Sequence, residues 1–445
     1  MRTHVRCFVV AGLLVAFGRG GAAQQPAHEL SAPRRYDGPP LTVAAAVEEA
    51  TAANPAIAVL QRQQEAARAR PAQERFLPPP MLEGQIWQWP LDTLNPANTN
   101  MFMAMATQEL PGRGKRDLRA ALAEHDVAIA GADLALRARD VARDVKDAYA
   151  ALFVARKAID IHLASVELLR EVADVAQVKY ATGRISQQDV LKAIVELSTL
   201  HDSLITFDEQ AQLATARLDT LMNRSLDSPI GPLTDPFEQT VVPSVQQLEA
   251  MAVTKQPEIA VTERQTARAE AELAVAKGDY KPDFSVQAGY MLMPRDTDAW
   301  MGRVGITWPN APWSRGRIDA RVRERSAEIE TARARERAAE NAARLSVHEA
   351  YIGVKAAEQR ASLLRTTIIP QAQQALAVAR AGYQADRVDF LALLDNERAL
   401  LDAQLNYYRA LGDFDRSLAA LERAIGADIG PEMLLPVKPA AGNKP

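Results

Sequence analysis

The sequence has 445 residues, a formal net charge of -4, and 24% charged and 5% aromatic residues. This balance predicts no strong attraction to nucleic acid or to a membrane surface, and so few aromatic residues suit long helices better than a thick globular core. The six histidines are scattered and the only cysteine is Cys7, so the sequence predicts no zinc or iron–sulfur site.

The N-terminus is typical of a secretory signal peptide. Arg2 and Arg6 precede an apolar run that ends at Phe17, and Ala23 closes a group of small residues suited to cleavage. Cleavage after Ala23 would remove Cys7, so we expect no disulfide in the mature chain. No later window has the eighteen or more apolar residues of a spanning helix. The sequence therefore predicts an exported protein that does not cross a membrane as a helix.

The first half of the chain predicts a helix, a β-hairpin and long helices. Residues 41–70 have a helical pattern with a kink or break at Pro55. Residues 81–109 contain two runs of strand character around a turn-rich stretch, which predicts a hairpin. Residues 112–180 lack proline and carry apolar residues at alternating gaps of three and four. This spacing predicts a helix of roughly 100 Å that packs along its length against other helices.

The same plan returns about 200 residues later, which indicates an internal duplication. An offset of 202 residues relates Val145 to Val347 and Tyr149 to Tyr351. The second hairpin is predicted at about 283–308, and Pro370 predicts a kink in the long helix that follows. The predicted organisation is a signal peptide (1–23), an N-terminal lead (24–40), a first repeat (41–225), a linker (226–243), a second repeat (244–427) and a flexible tail (428–445).

The tryptophans lie in the two hairpin regions or just beside them: Trp87, Trp89, Trp300, Trp308 and Trp313. Tryptophan favours the membrane–water boundary, and the strands have the length of barrel strands. Four strands cannot close a barrel, and an open sheet edge is not viable in lipid. If the hairpins enter a membrane, several chains must share one barrel, with eight strands from two chains or twelve from three.

The combined layout resembles the outer-membrane efflux protein family, the TolC family. The resemblance covers residues 41–427 and rests on four features: the duplication, Asn54-Pro55 with its counterpart Gln256-Pro257, hairpins followed by a glycine-and-basic turn, and helix breaks at 180–185 and 381–388. The segments around Met101 and Tyr290 look most like the metal-cation branch, of the CusC and CzcC type.

This resemblance implies a fold class that is mainly α with a small β part. Duplicated coiled-coil helices would form an α-barrel, and the four strands would contribute to a twelve-stranded transmembrane β-barrel in a homotrimer. The implied function is that of the outer-membrane exit duct of a tripartite efflux system in a Gram-negative bacterium. It would passively export substrate, and its cargo could be heavy-metal cations. Its partners would be a periplasmic adaptor, an inner-membrane pump of the RND type and outer-membrane lipid.

The resemblance also implies a periplasmic tip at the two helix breaks, where adaptors dock. Carried over to this sequence, the tip consists of Tyr180, Gly183, Arg184, Ile185, Ser186, Tyr383, Asp386, Arg387, Val388 and Asp389. Asp386 stands where the first half has Gly183. We expect the turn to survive this change, because aspartate tolerates the left-handed conformation better than most residues.

Two sets of residues leave alternatives open. Strand methionines could offer thioethers to Cu(I), although we favour packing or lipid-facing side chains; they are Met101, Met103, Met105, Met291 and Met293. Three acidic residues after the helix breaks, Asp189, Asp389 and Asp395, could form a cation-favouring pore constriction, or the first two could cap helices.

Other functions remain as alternatives. Within the family, drug efflux and type I secretion compete with metal export. Outside it, a periplasmic coiled-coil adaptor or a secreted helical scaffold would also use long helices, although the duplicated tryptophan-bearing hairpins argue against an adaptor. The Arg-rich stretch 315–337 is interspersed with acidic residues and predicts a solvated helix face, without nucleic acid as a partner. No phosphate-binding loop, hydrolase or metalloprotease motif is present, so we expect neither enzymatic activity nor a cofactor.

Overall fold

The computed structural model describes residues 36, 38–89, 91, 95, 98–226, 228–234 and 239–436. The predicted signal peptide with Cys7 lies outside the described residues, as do most of the lead and the last nine residues of the tail.

The described part of the chain consists of long helices and two hairpins, which confirms the predicted fold class. The first half contains α1 (Val43–Ala53), α2 (Pro55–Arg68), α3 (Arg70–Arg75), β1 (Met81–Trp87), β2 (Met101–Leu110), α4 (Lys115–Ala181) and α5 (Gln187–Leu221). The second half contains β3 (Gln239–Val241), α6 (Val245–Lys255), α7 (Pro257–Gly278), β4 (Phe284–Leu292), β5 (Ala299–Ile306), α8 (Arg315–Leu363), α9 (Ile369–Gln384), α10 (Phe390–Ile425) and β6 (Leu434–Pro436).

The prolines at equivalent positions of the two halves each start a helix. The side-chain oxygen of Asn54 accepts the backbone N–H of Ala56 at 3.0 Å, so α1 ends and α2 begins at Pro55. In the second half the Gln256 side chain accepts the N–H of Ile259 at 2.9 Å, ahead of α7. Proline is favoured at the first position of a helix because the N–H that it lacks has no partner there. Pro55 is thus a break between helices and not a kink within one.

Helix α4, with 67 residues, is the longest element among the described residues and packs against α5, α7 and α10. Its fully buried Val145 and Leu152 lie in a cluster with α1, α2 and the end of α5. Val347 and Val354 on α8 hold the same places in the second half, against α6 and the end of α10. The seam predicted from the spacing of apolar residues is therefore the line along which the helices pack.

Pro370 is accommodated by a π-helical turn over Leu364–Ile368. The N–H of Ile369 bonds to the carbonyl of Leu364, five residues back. A proline in a helix removes one hydrogen bond and its ring crowds the carbonyl four residues before it, here that of Thr366. The wider turn lies at the point where that conflict arises, so the helical path continues from α8 into α9.

The predicted flexible tail is wrong for residues 428–436. β6 pairs antiparallel with β3, with Val241 opposite Leu434, so part of the predicted linker is also a strand. Ile429 is buried, and Leu434 packs against the cluster that contains Leu421. Strands of three residues that pair across almost 200 residues of chain leave no periodic pattern in the sequence, which is why the sequence analysis missed them.

The two hairpins form one four-stranded antiparallel sheet in the order β1-β2-β4-β5. The repeats meet at the β2–β4 pair, in which Met103 lies opposite Met291 and Met105 opposite Gly289. Within the described residues β1 and β5 each pair on one side only. The sheet therefore has two free edges.

The register places all odd-numbered strand residues on one face and all even-numbered ones on the other. The even face is apolar and exposed, and includes Leu82 at 79%, Trp300 at 80% and Val304 at 76% exposure. The odd face is less exposed and carries methionine and polar side chains, among them Glu83, Gln85, Gln287 and Arg303. The strand methionines thus lie on the face opposite to the apolar one, and Met105 among them is buried. The alternatives of metal ligand and of packing or lipid-facing side chain stay predictions.

No single described helix is both long and apolar enough to cross a membrane. Taken together, Val43–Ala53 and Pro55–Arg75 would meet that requirement in length and composition, with a bend of 43° between them.

The packing of α10 on α4 predicts how much stability the protein loses when one methyl group is added between these helices. A Cβ at Gly412 would overlap Cγ2 of Val154, whose β-branched side chain has little rotamer freedom in a helix. We expect Gly412→Ala to destabilise the protein by about 1–3 kcal/mol. Gly316→Ala on α8 is the matched control, because a Cβ there meets nothing within 4 Å. Thermal unfolding followed by circular dichroism measures both, and equal melting temperatures would contradict the close packing.

Candidate functional site

The first candidate site is the pair of turns that join α4 to α5 and α9 to α10. Gly183 has φ of 71° and Asp386 has φ of 60°, so both occupy the left-handed region. Arg184 donates its N–H to the carbonyl of Lys179 at 2.9 Å, and Arg387 donates to Gly382 at 2.9 Å. Both turns therefore end a helix with the same hydrogen-bonding pattern. The expectation that aspartate can replace glycine in this turn is confirmed.

Lys179 connects the two turns. Its ammonium nitrogen lies 2.6 Å from Oδ1 of Asp386 and also donates to the carbonyl oxygen of Tyr383. It sits 4.2 Å from the centre of the Tyr383 ring, and only 11% of its side chain is exposed. Arg184 adds a longer ion pair to Asp386 at 3.6 Å. The hydrogen bond and the charge of Lys179 lower the pKa of the Asp386 carboxyl below its ordinary value.

The ten residues predicted for the tip divide into a surface set and an interior set. Tyr180, Gly183, Arg184, Ser186, Asp386, Arg387 and Asp389 are exposed. Ile185 and Val388 are half-buried, and Tyr383 is buried with its ring 5.8 Å from that of Phe390. The structure therefore brings both helix breaks together, with seven exposed residues, six of which have side chains available to a partner. Their role in docking stays a prediction.

The three acidic residues predicted for a constriction have different settings. Asp389 accepts the backbone N–H of Ala392 at 2.8 Å and so caps α10. Asp189 accepts the hydroxyl of Ser186 at 3.1 Å in the first turn of α5. Asp395 is 62% exposed, with Arg398 at 3.9 Å. Asp389 thus caps a helix, whereas the carboxylate of Asp395 is exposed and has only a long ion pair to Arg398.

A buried polar group between α5 and α10 escaped the sequence analysis. Glu196 is 7% exposed and accepts from Nε of Arg398 at 2.9 Å and from a second nitrogen of the same guanidinium. Glu397 is also 7% exposed. Burial, and then the neighbouring charge of Glu196, raise the pKa of Glu397 to about 7. The available signal was a charged residue in the apolar seam, since Glu397 follows Leu393 and Leu394 on the same helix face.

The second candidate site is the odd-numbered face of the strand sheet. Four of the five predicted methionines, Met101, Met103, Met105 and Met291, share this face, and Met293 lies just beyond the end of β4. Met301 of β5, which the sequence analysis did not select, joins them opposite Gly289. Among the described residues no group of three or more histidine, aspartate or glutamate side chains is placed to hold a metal ion.

Comparison with known proteins shows which family pattern the sequence matches and which solved structures have a similar fold. The sequence pattern of the outer membrane efflux protein family matches residues 46–224 and 250–427. The chain is 25% identical over 439 residues to the cobalt-zinc-cadmium resistance protein CzcC of Cupriavidus metallidurans, covering 95% of this chain and 99% of that protein.

Solved channels share this architecture. The outer-membrane channel OprN superposes with a TM-score of 0.71 at 22% identity, covering 86% of this chain and 90% of that chain. CusC superposes with a TM-score of 0.74 at 16% identity, covering 86% and 92%. At these identities the superpositions bear on the fold alone.

The Lys179–Asp386 contact predicts that both turns become more mobile when the ion pair is removed. Asp386→Asn keeps a residue that tolerates the left-handed conformation but removes the charge, and Asp386→Gly restores the residue of the first half. We expect both variants to exchange backbone amide hydrogens faster at 178–190 and 380–392, measured by mass spectrometry. Asp389→Asn is the control, because it removes a charge three residues away and keeps the side-chain oxygen that caps α10. Unchanged exchange in both Asp386 variants would show that the ion pair does not hold the turns.

The raised pKa of Glu397 predicts a pH-dependent stability. An unfolded glutamate ionises near pH 4.5, whereas the folded one keeps its proton to about pH 7. Between these values the unfolded state releases the proton first, so stability falls as pH rises and stays lower above pH 7. Glu397→Gln mimics the protonated form, and we expect it to stabilise the protein by about 1–3 kcal/mol at pH 8 and little at pH 4.

Melting temperatures at pH 4 and pH 8 measure this difference. Asp395→Asn, on the same helix but exposed, is the matched control and should shift neither value. A Glu397→Gln variant that melts like the unmodified protein at pH 8 would contradict the burial of an ionised carboxylate.

Proposed function

The chain belongs to the outer membrane efflux protein family, and from this membership we propose that it is the exit duct of a tripartite efflux system. In this proposal three copies assemble in the outer membrane of a Gram-negative bacterium and extend into the periplasm. Substrate passes through them passively, and an inner-membrane pump supplies the energy through a periplasmic adaptor.

The observation that carries the proposal is the two-faced sheet with two free edges. An edge strand with unpaired N–H and C=O groups cannot stay open in lipid. Because strand direction alternates along β1-β2-β4-β5, β5 of one copy runs antiparallel to β1 of the next. Three copies then close an even-numbered barrel of twelve strands, with the apolar face toward lipid and the polar face toward the lumen.

The long helices supply the periplasmic part of the duct. Helix α4 alone spans roughly 100 Å at 1.5 Å per residue, and it leads from the hairpin to the paired turns. We assign adaptor docking to the exposed turn residues, in which Arg184, Arg387 and Tyr180 offer charge and an aromatic surface. A pump of the RND type would complete the assembly beyond them.

We propose heavy-metal cations as the cargo. The support is the similarity to CzcC, which extends over 95% of this chain and nearly all of that resistance protein. Drugs and secreted proteins are the other cargoes that a duct of this family can export. A transport assay with each class of substrate distinguishes them from metal cations.

The experiment that tests the assembly combines fractionation with cross-linking. The outer membrane is isolated and solubilised in mild detergent, and light scattering with the detergent subtracted gives the mass of the protein. In a background with Cys7→Ser, Glu83→Cys on β1 is combined in turn with Met301→Cys, Arg303→Cys and Gly305→Cys on β5. At the correct register we expect a disulfide-linked ladder up to the trimer, because facing residues on neighbouring strands lie about 5 Å apart.

The single-cysteine variants are the controls and should stay monomeric under denaturing conditions. A pair on the opposite faces, Glu83→Cys with Val304→Cys, should also fail to cross-link. A monomer found in the soluble fraction would overturn the duct and favour a periplasmic adaptor or a scaffold.

A further inference from the structure

We propose that the odd-numbered face of the strand sheet carries a thioether site for soft monovalent cations, Cu(I) and Ag(I). The site comprises Met103, Met105, Met291 and Met301, with Met101 at its border. The inference rests on the proposed function, since that function places this face in the lumen, and it names the class of cation for which the lumen is built.

The distribution of methionine over the sheet is the first observation. Every methionine in the four strands lies on the odd face: Met81, Met101, Met103, Met105, Met291 and Met301. The same face has no leucine, isoleucine, valine or phenylalanine within these strands. Those residues occupy the even face instead. Apart from Trp87 at the end of β1, methionine is therefore the large apolar residue of the odd face.

The register brings methionines from three strands to one patch. Met103 lies directly opposite Met291, and in the next row Met105 and Met301 lie on either side of Gly289. A Cβ at Gly289 would be 2.9 Å from Cγ of Met105, so the absent side chain makes the room that Met105 occupies. Facing residues on adjacent strands lie about 5 Å apart, and methionine has three rotatable bonds. Thioethers on neighbouring strands can therefore converge on one ion.

The patch is sheltered and has one charge of each sign beside it, because Arg303 follows Met301 on the same face of β5. Met105 is buried and the other three methionines are half-buried, so the patch is sheltered compared with the even face. Glu83 lies opposite Met105 on β1 and supplies a negative charge. Gln287 donates from Nε2 to the sulfur of Met105 at 3.5 Å, so a cation at this thioether would use the other lone pair of the sulfur or displace the amide.

The ligand type selects the ion. Neutral thioethers are soft donors that favour Cu(I), whereas Zn²⁺ and Co²⁺ need imidazole, thiolate or carboxylate groups. Neutral donors also bind less tightly than charged ones, which suits a path where an ion must leave as well as enter. We therefore expect the patch to discriminate between Ag(I) or Cu(I) and the divalent ions Zn²⁺ and Co²⁺.

The test uses the full-length protein, purified without a histidine tag as the detergent-solubilised assembly. Ag(I) binding is measured by equilibrium dialysis with metal analysis, and X-ray absorption identifies sulfur as the ligand. The variant combines Met103→Leu, Met105→Leu, Met291→Leu and Met301→Leu, which keeps apolar volume but removes the sulfur. Loss of an outer-shell partner of a metal ligand costs about 10–100-fold in affinity. Because this variant removes the ligands themselves, we expect the affinity for Ag(I) to fall by at least that factor.

Met222→Leu combined with Met251→Leu is the matched control, because these methionines lie with the helices and outside the sheet. It should bind Ag(I) as the unmodified protein does, and Zn²⁺ should not compete in either. A trimer that binds no Ag(I), or a fourfold leucine variant that binds it equally well, would overturn the site and leave the exit duct standing. Failure to assemble in the outer membrane would instead overturn the duct.

Discussion

The antiparallel pairing of β2 with β4 is the contact on which the rest of the arrangement depends. It is the place where the two repeats join in one sheet, and its register, with Met103 opposite Met291, decides which side chains share a face. Slipping the pairing by one residue would move every side chain to the other face. The exposed apolar surface and the sheltered polar surface would then both be mixed. The same pairing leaves β1 and β5 as free edges, and so sets the need for further copies.

The two repeats solve the same local problems with different residues. The side chain of Asn54 accepts the backbone N–H of the second residue of α2. The side chain of Gln256 is one methylene longer and accepts the N–H of the third residue of α7. At the turns Gly183 has no side chain, but Asp386 at the equivalent place uses its carboxylate to hold Lys179 of the other repeat. Tyr180 is exposed and its counterpart Tyr383 is buried. The duplication has thus kept the backbone and changed the contacts, which gives the paired turns an asymmetry within one chain.

Sequence reasoning succeeds here where structure is local and fails where it depends on pairing. The long helices, the hairpins and the left-handed turn at Asp386 follow from spacing, proline positions and residue type, each within a few residues. The pairing of β3 with β6 joins segments almost 200 residues apart, and the sequence analysis took both for unstructured chain. Met301 was missed because its place beside Gly289 is set by the register between β4 and β5. The ion pair between Glu196 and Arg398 could not be predicted without knowing that α5 lies beside α10.

Charge along the helices is largely compensated within the chain. Arg268 lies between Asp126 at 2.6 Å and Glu272 of its own helix at 2.5 Å, and Arg325 of α8 reaches Glu272 at 3.1 Å. Partly exposed pairs of this kind add little stability each, and they leave less unpaired fixed charge on the helices. A passive duct has no energy source of its own, so any tight site along its path would stop transport. In the proposed duct the neutral sulfur on the strands would meet this requirement, because uncharged donors recognise a cation without a deep binding well.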